Sequence, residues 1–360
     1  MSSTKILVII QRSNGDVFLS ASLIHQLQAK FQPCKIDLLV NDDTLAVAKV
    51  LPHISNIHTF SYLDKKEKKW YQEKNIFKNI FKKYDLSINL TASDRSVLYC
   101  ILAGKRSISA IEEETRKSWW KKIFLNNYYT FDSKKHILLN NLEPLKYLGV
   151  DKYDTQVSLN INDSKISKIR GKLNKLNISK FFIFHPSAQY NYKIYPQHLR
   201  NELLGLLNEL NIPIIITGGS SAIDVEINKT LPSLSNVFSW IGKTSIEDCI
   251  VLSSLSEAYI GMDTLNMHVA AFHNKRIFAI FGPTNLSMWA PWSNELQVSA
   301  SKNIPLQTYS NISIFQAGLP CVACGKAGCD NKNGKSECLD HISPLSVFNE
   351  VKNWQQNTYN

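Results

Sequence analysis

Short apolar runs alternate with longer amphipathic stretches along most of the chain. Residues 5–10 (KILVII) and 35–40 (KIDLLV) are runs of strand length, and apolar residues from Val17 to Leu27 recur between them at helical spacing. Runs that are apolar throughout are typical of strands covered on both faces of a parallel sheet. The first strand–helix–strand unit therefore predicts a right-handed parallel crossover.

The same alternation is found in both halves of the sequence. Further strands are predicted at residues 85–90, 107–110, 181–185, 213–218, 257–260 and 277–281, and helices at 197–210, 246–255 and 267–272. Residues 151–180 are polar and weakly periodic, so part of this stretch is interpreted as an interdomain linker. The pattern predicts an α/β fold with two doubly wound domains.

Composition agrees with a globular protein of two domains. The chain has 360 residues, of which 44% are hydrophobic and 20% are charged, and these values exclude a disordered or fibrous chain. No apolar run reaches the roughly 18–20 residues that span a bilayer. The apolar stretch at residues 6–10 is too short for a secretory signal, so a cytoplasmic protein is expected.

Positive charge is concentrated toward the N-terminus. The net charge is +11; residues 1–180 carry 30 Lys and Arg against 17 Asp and Glu, whereas residues 181–360 carry 11 against 13. The first half is therefore expected to face an anionic partner, either a nucleic acid or a membrane surface. No nucleic-acid-binding motif accompanies the charge, so no nucleic-acid partner is predicted.

One basic segment also carries aromatic residues. Eight lysines lie within residues 65–84, and the same segment places Trp70, Phe77, Phe81 and Tyr84 at spacings that suit one helical face. Residues 117–124 (KSWWKKIF) likewise combine lysines with aromatic and apolar residues. Basic side chains with apolar anchors suit an anionic membrane interface. The alternative is a helix that turns its aromatic residues into the core and solvates its lysines.

A first candidate site follows the opening strand. Arg12, Ser13, Asn14, Gly15 and Asp16 lie outside the carboxyl end of that strand, where open parallel sheets bind ligands. Gly15 permits a tight turn, and Asp16 either carries chemistry or only caps the next helix. A single glycine is not the G-x-G-x-x-G pattern, which argues against a dinucleotide-binding loop.

A second candidate site follows the strand predicted at residues 181–185. Ser187 and Ala188 offer hydroxyl and backbone donors, and Lys193 adds an ammonium group. This combination suits a phosphate group. The alternative is a solvated loop with a surface lysine.

A third candidate site lies between a short strand and a helix. The segment Met262-Asp263-Thr264-Leu265 opens the helix, and His268 lies on its first turn. A helix N-terminus has free N–H groups and a partial positive charge, which favour a phosphate. The alternative for His268 is a core histidine whose hydrogen bonds are all made within the protein.

Four of the seven cysteines cluster near the C-terminus, namely Cys321, Cys324, Cys329 and Cys338. In a reducing compartment such a cluster suggests a structural zinc ion held by four thiolates, with no open position for chemistry. The alternatives are reduced free thiols or thiols oxidised during handling. Cys34, Cys100 and Cys249 are scattered singly and are expected in cores as small apolar residues.

Taken together, the motifs resemble the family-9 glycosyltransferases, the lipopolysaccharide heptosyltransferases, over nearly the whole chain. The matching motifs are Gly15-Asp16, Lys193-x-x-Pro196, Gly261-x-Asp263-Thr264-x-x-x-His268, Phe281-Gly282-Pro283-Thr284 and Trp289-x-Pro291-Trp292. The segment from Lys83 to Thr91 and the region of Trp120 are most similar to the heptosyltransferase III subgroup.

The resemblance implies a GT-B architecture, in which two Rossmann-like domains face each other across a cleft. It implies an acceptor-binding domain at 1–165, a nucleotide-sugar-binding domain at 166–343 and a last helix at 344–360 that crosses back to the first domain. It further implies ADP-L-glycero-D-manno-heptose as donor and the inner core of lipopolysaccharide as acceptor. The enzyme would then work at the cytoplasmic face of the inner membrane, as a peripheral protein.

The resemblance also implies roles for individual residues in an inverting transfer that needs no metal or other cofactor. Asp16 would be the general base, and residues 12–15 would bind the acceptor. Ser187, Lys193 and the helix N-terminus at Thr264 would meet the charge of the leaving diphosphate, with Ala188, Met262 and His268 also at the donor. In addition, Asp263 would fix the heptose or its loop, Thr244 would contact adenine, and Asp224 or Glu226 would hold the ribose.

One position departs from the family pattern. Leu265 and Asn266 follow Asp263-Thr264 where the family usually has Gly after this pair, and a glycine there lets the backbone approach the diphosphate. Another nucleotide sugar is therefore one alternative. The others are a basic protein that binds nucleic acid or membranes, and an inactive scaffold, against which the presence of both Asp16 and Lys193 argues.

Overall fold

The structure is a computed structural model that describes residues 3–112, 118–157 and 159–359. It divides into two compact units, residues 1–160 and 161–360, five residues before the predicted boundary. By this division the first unit carries 24 Lys and Arg against 16 Asp and Glu, and the second carries 17 against 14. The charge difference between the domains is thus smaller than the difference between the two halves of the sequence.

The first unit is a six-stranded parallel sheet with helices between its strands. The strands are β1 (Thr4–Ile10), β2 (Cys34–Asn41), β3 (Ile54–Phe60), β4 (Tyr84–Asn89), β5 (Gly104–Ile111) and β6 (Asn127–Thr130). The helices are α1 (Asn14–Phe18), α2 (Ala21–Phe31), α3 (Leu45–Ala48), α4 (Lys65–Ile80), α5 (Asp94–Ala103), α6 (Trp119–Phe124) and α7 (Ile137–Leu142). The strand order β3-β2-β1-β4-β5-β6, with every pair parallel, is that of a Rossmann fold.

The second unit repeats this order and adds one antiparallel edge strand. Its strands are β7 (Phe182–His185), β8 (Ile214–Ile216), β9 (Val237–Ser239), β10 (Ala258–Met262), β11 (Arg276–Ile280), β12 (Leu306–Tyr309) and β13 (Ile312–Phe315). Its helices are α8 (Asp163–Lys175), α9 (Gln197–Asn208), α10 (Ala222–Lys229), α11 (Ile246–Leu255), α12 (Leu265–Phe272), α13 (Leu286–Trp289) and α14 (Pro344–Tyr359). The sheet order is β12-β13-β11-β10-β7-β8-β9, and β12 alone runs antiparallel to its neighbour.

Continuous apolar runs form the central strands, as predicted. Ile6 to Ile10 in β1 are completely buried, because helices cover both faces of the sheet. In β7 the alternation divides the side chains between two cores: Ile183 packs into one, and Phe182 and Phe184 into the other. Each fully buried Phe or Ile stabilises the fold by about 1.5–3 kcal/mol.

Three local predictions are corrected by the structure. The polar stretch at 151–180, interpreted in part as a linker, contains helix α8, which buries only Ile169 and Leu173. The helix predicted after β1 is broken into α1 and α2, and Gly15 lies inside α1 rather than in a turn. Tyr84 is not on a helical face with Trp70, since it lies in strand β4 and is buried.

The last helix, predicted to run back to the first domain, has its buried face in the core of the second unit. Val347, Phe348 and Val351 belong to that core, and the Trp354 ring centroid lies 5.8 Å from that of Phe182. Among the described residues no helix is long and apolar enough to cross a membrane.

Candidate active site

The first candidate site lies at the carboxyl end of β1, where Asp16 is held in a buried position. Asp16 occupies the third residue of α1, and its Oδ2 accepts hydrogen bonds from Ser13 Oγ (2.6 Å) and Ser13 N (3.3 Å). Arg12 Nε lies 2.7 Å from Asp16 Oδ1, but Oδ1 has no aligned hydrogen bond among the described residues. Asp16 can therefore both cap the helix and carry chemistry, because Oδ2 accepts the capping hydrogen bonds and Oδ1 remains for a proton.

Burial sets the acidity of this carboxyl group. Asp16 is 3% exposed, and burial raises the pKa of Asp16 above its ordinary value, although the Arg12 guanidinium opposes the shift. A carboxylate with a raised pKa is a better proton acceptor than an exposed one. The guanidinium of Arg12 also lies 4.8 Å from the centroid of the Phe131 ring, which fixes the side chain beside Asp16.

A second loop of the same domain meets the Asp16 loop. Gln11 N donates a hydrogen bond to Thr91 Oγ1 at 2.9 Å, since β1 and β4 are neighbours in the sheet. Behind this loop, Lys121 is fully buried, donates to the Ala92 carbonyl at 2.7 Å and pairs with Asp94 at 2.8 Å. The loops that follow β1 and β4 therefore form one edge, with cations at several points along it.

The second and third candidate sites meet in the second unit. Lys193 Nζ lies 2.9 Å from Asp263 Oδ2 although the two residues are 70 positions apart. Asp263 is buried and Lys193 is half-buried. Burial disfavours the lysine charge, but the Asp263 carboxylate outweighs this effect and raises the pKa of Lys193. Lys193 is thus held as a cation at the carboxyl edge of this sheet, beside the strand that Asp263 follows.

Asp224 organises the loop that carries Ser187. It accepts hydrogen bonds from Ser187 Oγ (2.5 Å), Gly219 N (2.9 Å) and Ser221 N (3.0 Å). Burial would raise the pKa of Asp224, but these hydrogen bonds outweigh it and lower the pKa. The structure therefore gives Asp224 a positioning role, and its contact with a ribose stays a prediction. Glu226, on the same helix, is exposed and lines a cavity of about 730 Å³.

The N-terminus of α12 is brought close to β7 by a glycine. A Cβ on Gly261 would lie 2.4 Å from the His185 carbonyl oxygen, so no larger residue fits there without a shift of the backbone. Thr264 is the N-cap of α12, and Leu265 is its first residue. Met262, before this turn, is buried, and its carbonyl accepts a hydrogen bond from the Tyr259 hydroxyl at 2.8 Å.

His268 and His185 are two buried histidines near the start of α12. Burial lowers the pKa of each to about 4, so both rings are neutral at pH 7. His268 Nδ1 has no hydrogen-bond partner among the described residues, and its ring lies 6.3 Å from that of Trp289. A neutral ring with an unused nitrogen can accept or donate one hydrogen bond to a ligand.

His185 and Asn266 are two residues of this site for which the sequence predicts no role. Asn266 Nδ2 lies 3.0 Å from His185 Nδ1, and Thr217 Oγ1 lies 2.9 Å from the same nitrogen. These contacts connect the ends of β7, β8 and α12. Their position in the sequence could have indicated them as site residues. His185 lies at the carboxyl end of a predicted strand, and Asn266 lies at the start of a predicted helix. Thr244, at the next loop, lies 3.4 Å from the Cys249 sulfur.

The four C-terminal cysteines lie near one another. Cys321, Cys324 and Cys329 are exposed and Cys338 is buried. Burial, together with the three neighbouring thiols, raises the pKa of Cys338 to about 11. Among the described residues no three His, Cys, Asp or Glu side chains could together hold a metal ion. Zinc binding stays a prediction, and no chemical step is derived from it.

Solved structures share this fold over nearly the whole chain. The ADP-heptose lps heptosyltransferase II of E. coli superposes with a TM-score of 0.71 at 18% identity, over 98% of this chain and 100% of that one. An E. coli heptosyltransferase solved with ADP-2-deoxy-2-fluoro heptose superposes with a TM-score of 0.69 at 16% identity, over 97% and 99%. The fold class is thus the GT-B class, with two Rossmann-like domains, as predicted.

The sequence comparisons define the family. The model of glycosyltransferase family 9 (heptosyltransferase) matches residues 74–316. The lipopolysaccharide heptosyltransferase 3 of E. coli is 24% identical over 294 residues, which cover 79% of this chain and 85% of that protein. The chain belongs to glycosyltransferase family 9, and it is a glycosyltransferase. The family match includes Lys193, Asp263 and His268 but begins after Asp16, so the role of Asp16 depends on its geometry.

Proposed function

We propose that the enzyme transfers heptose from ADP-L-glycero-D-manno-heptose to the inner core of lipopolysaccharide, with inversion and without a metal. The observation that carries the proposal is the Lys193–Asp263 pair at 2.9 Å beside the N-terminus of α12, since this cation and helix end suit a diphosphate. The relatives support the sugar and the acceptor: one is named a lipopolysaccharide heptosyltransferase, and another was solved with an ADP-heptose analogue.

The acceptor chemistry is assigned to Asp16. Its Oδ1, which lacks an aligned hydrogen bond, takes the proton of the acceptor hydroxyl as the hydroxyl oxygen bonds to the anomeric carbon. The raised pKa of Asp16 strengthens it as a base, and a positioned base contributes about 10²–10⁴-fold to the rate. Arg12, the N-cap residue Ser13 and the first residues of α1, Asn14 and Gly15, orient the acceptor in this proposal.

The donor chemistry is assigned to the second domain. The bond between the anomeric carbon and the diphosphate oxygen breaks, and its electron pair leaves with ADP. Lys193 and the backbone N–H groups at Ser187 and Thr264 stabilise this charge, because the Ser187 hydroxyl already donates to Asp224. Asp263 holds the ammonium group in place, while Ala188, Met262 and the neutral His268 contact the donor. Thr244 contacts the adenine, and the ribose is held by Asp224 or Glu226.

The nature of the acceptor fixes where the enzyme works. Lipopolysaccharide core is assembled on a lipid, so a transferase for it must meet a membrane surface. We propose that the enzyme is a peripheral protein of the cytoplasmic face of the inner membrane. The exposed lysines of α4 would approach anionic headgroups at that surface.

A second candidate function is transfer of a sugar from another nucleotide. It is favoured by Leu265, whose side chain stands at the start of α12 where the family usually has glycine. Competition by ADP, UDP and GDP for the nucleotide site separates the two candidates: ADP should compete best if the donor is ADP-heptose, and UDP or GDP should do so if it is not.

The test of the proposed function is ADP release from ADP-heptose with a panel of core lipopolysaccharides as acceptors. The panel runs from heptose-deficient core to partly extended cores. Release that depends on one acceptor establishes the reaction and identifies its step in core assembly. If no acceptor supports release while ADP binds tightly, the fold and the nucleotide site stand and the heptose assignment is wrong.

A further inference from the structure

An apolar groove lies on the first domain, between α4, α5 and α6. It has a volume of about 780 Å³, within the size range of ligand pockets. Its apolar lining consists of Trp70, Phe77, Leu98, Tyr99, Leu102 and Trp120. None of these residues belongs to the candidate active site, and the groove has no role in the proposed transfer.

The aromatic residues of α4 face outward, contrary to the alternative in which they pack into the core. Trp70 is 84% exposed and Phe77 is 39% exposed, whereas Ile76 and Ile80 are buried. Leu98 on α5 is 48% exposed, and Trp119, Ile123 and Phe124 on α6 are all more than 60% exposed. Large apolar side chains exposed on three helices around one groove mark a contact with another apolar phase or partner.

Positive charge is concentrated on the helices that form the groove, and Lys74 and Arg95 line it. Residues 65–83 contain eight lysines and two glutamates, and Lys74, Lys78, Lys82 and Lys122 are exposed. Lys117 lies outside the described residues, as do the side chains of Lys65, Lys66 and Lys69. This short segment therefore carries a net charge of +6, most of the net charge of the first domain.

The acidic groups at the groove are already paired within the protein. Glu73 accepts a hydrogen bond from the Tyr99 hydroxyl, and Asp94 forms an ion pair with the buried Lys121. These partners hold the carboxylates at the wall of the groove. The exposed lysines thus dominate the charge that an approaching surface meets.

The groove is connected along the chain to the candidate acceptor site of the same domain. Ser93, Asp94 and Arg95 line it and follow directly on the loop after β4. Thr91 of that loop accepts the hydrogen bond from Gln11 N, next to Arg12. The loop after β4 thus joins the groove to the candidate acceptor site.

We propose that this groove takes an acyl chain of an anionic membrane phospholipid, with Trp70 and Leu98 in the acyl boundary and the flanking lysines on the headgroups. Apolar lining favours a hydrocarbon chain over a polar ligand, and each lysine near an anionic surface contributes about 1 kcal/mol. Tryptophan is suited to such a boundary because its ring is apolar and its N–H is polar. The use of this lipid site in turnover rests on the proposed function. Lipid binding itself rests only on the apolar lining and the charge of the groove.

The experiment uses the full chain and vesicles of phosphatidylcholine with roughly one-third phosphatidylglycerol. The phosphatidylglycerol carries bromine on its acyl chains, which quenches nearby tryptophan. We expect the protein to sediment with these vesicles, its fluorescence to be quenched, and vesicles of pure phosphatidylcholine to bind it far more weakly. Leu98→Asp places a charge in the groove without disturbing a core, and we expect it to weaken binding at least about tenfold, or 1.4 kcal/mol.

Trp70→Ser is the second variant, and it should remove much of the quenching. Leu345→Asp is the matched control, because Leu345 is 52% exposed on α14 of the other domain, and it should bind and quench as the wild type does. If Leu98→Asp and Trp70→Ser bind with unchanged affinity and quenching, the lysines alone hold the vesicle and the acyl-chain groove is wrong.

ADP release on a deacylated, water-soluble acceptor separates this proposal from the proposed function. Both groove variants should keep the wild-type rate on that acceptor and lose rate on an acceptor embedded in vesicles. Turnover on the soluble acceptor without any vesicle binding would overturn the groove proposal and leave the transferase intact. Vesicle binding that the groove variants abolish, without turnover on any acceptor, would support the groove and overturn the transferase.

Discussion

The two domains share one strand order but differ in how they hold their charged side chains. In the first domain Asp16 is buried against a single arginine and keeps one oxygen without an aligned hydrogen bond. In the second domain Asp263 is paired with Lys193, and Asp224 is bonded by Ser187, Gly219 and Ser221. The scaffold is the same, and the chemistry is decided by the loops that follow its strands.

This difference suits two different tasks. A carboxylate whose burial raises its pKa is prepared to take up a proton, as a base for an acceptor hydroxyl must. A lysine held as a cation by a buried carboxylate is prepared to meet negative charge without changing its protonation. In the proposed function, the first domain therefore binds the acceptor and the second domain binds the diphosphate, and variants of Asp16 and Lys193 separate the two tasks.

The largest effect is expected for Asp16→Asn. The amide keeps the size of the side chain but cannot accept the acceptor proton, so we expect kcat to fall about 10²–10⁴-fold. Turnover is measured with ADP-heptose and the best core acceptor, and Asp151→Asn, at an exposed surface position of the same domain, is the control. Wild-type turnover by Asp16→Asn would mean that another group is the base.

Lys193→Met should have the next largest effect. It removes the cation that meets the leaving diphosphate, so we expect a loss of about 10²–10³-fold in kcat together with weaker ADP binding. It also leaves Asp263 buried without its partner, which costs about 1–3 kcal/mol of unfolding free energy. Asp263→Asn added to Lys193→Met should restore part of that stability, as measured by urea unfolding. Additive losses in the double variant would contradict the pairing.

Much of the fold, but less of the site, could be predicted from the sequence. The central strands β1, β2, β7 and β11 are confirmed because continuous apolar runs mark strands that are buried on both faces. The edge strands β3, β6 and β9 were not predicted, since their side chains are largely half-buried or exposed and carry no such run. Helix α8 was missed for the same reason.

The sequence could predict that the site residues lie at the carboxyl edge of each sheet, but not which hydrogen bonds and ion pairs they form. Strand ends brought Lys193 and Asp263 to one place, as parallel topology requires. The network of Ser187 with Asp224 and the contact of Asn266 with His185 depend on loop conformation, which the hydrophobic pattern does not encode. Lys121 was grouped with surface lysines, whereas burial and its pairing with Asp94 make it part of the structure.

Gly261→Ala should lower the free energy of unfolding. The new Cβ would meet the His185 carbonyl oxygen at 2.4 Å, and overpacking of this kind costs about 1–3 kcal/mol. Gly205→Ala is the control, because it lies in helix α9 with nothing within 4 Å of its Cβ position, and there alanine should stabilise by about 0.5–1 kcal/mol. Melting temperatures of the two variants should therefore move in opposite directions. A common direction would contradict the close approach of β7 and β10.

A smaller effect is expected from the pH dependence of stability. Because the pKa of Asp16 is raised in the folded protein, its ionisation costs stability at neutral pH and that cost disappears below the ordinary carboxyl range. The stability of Asp16→Asn relative to wild type should therefore be greatest near pH 7 and should decline as the pH falls. A difference that is constant between pH 4 and pH 7 would mean that the carboxyl group is not perturbed.

The assignment of separate tasks to the two domains is tested most directly by calorimetric titration of ADP into wild type, Asp16→Asn and Lys193→Met. We predict that Asp16→Asn, although inactive, binds ADP with the wild-type affinity, and that Lys193→Met binds it at least about tenfold more weakly. Equal weakening of ADP binding by both variants would contradict the account, because the acceptor base and the diphosphate site would then not be separable.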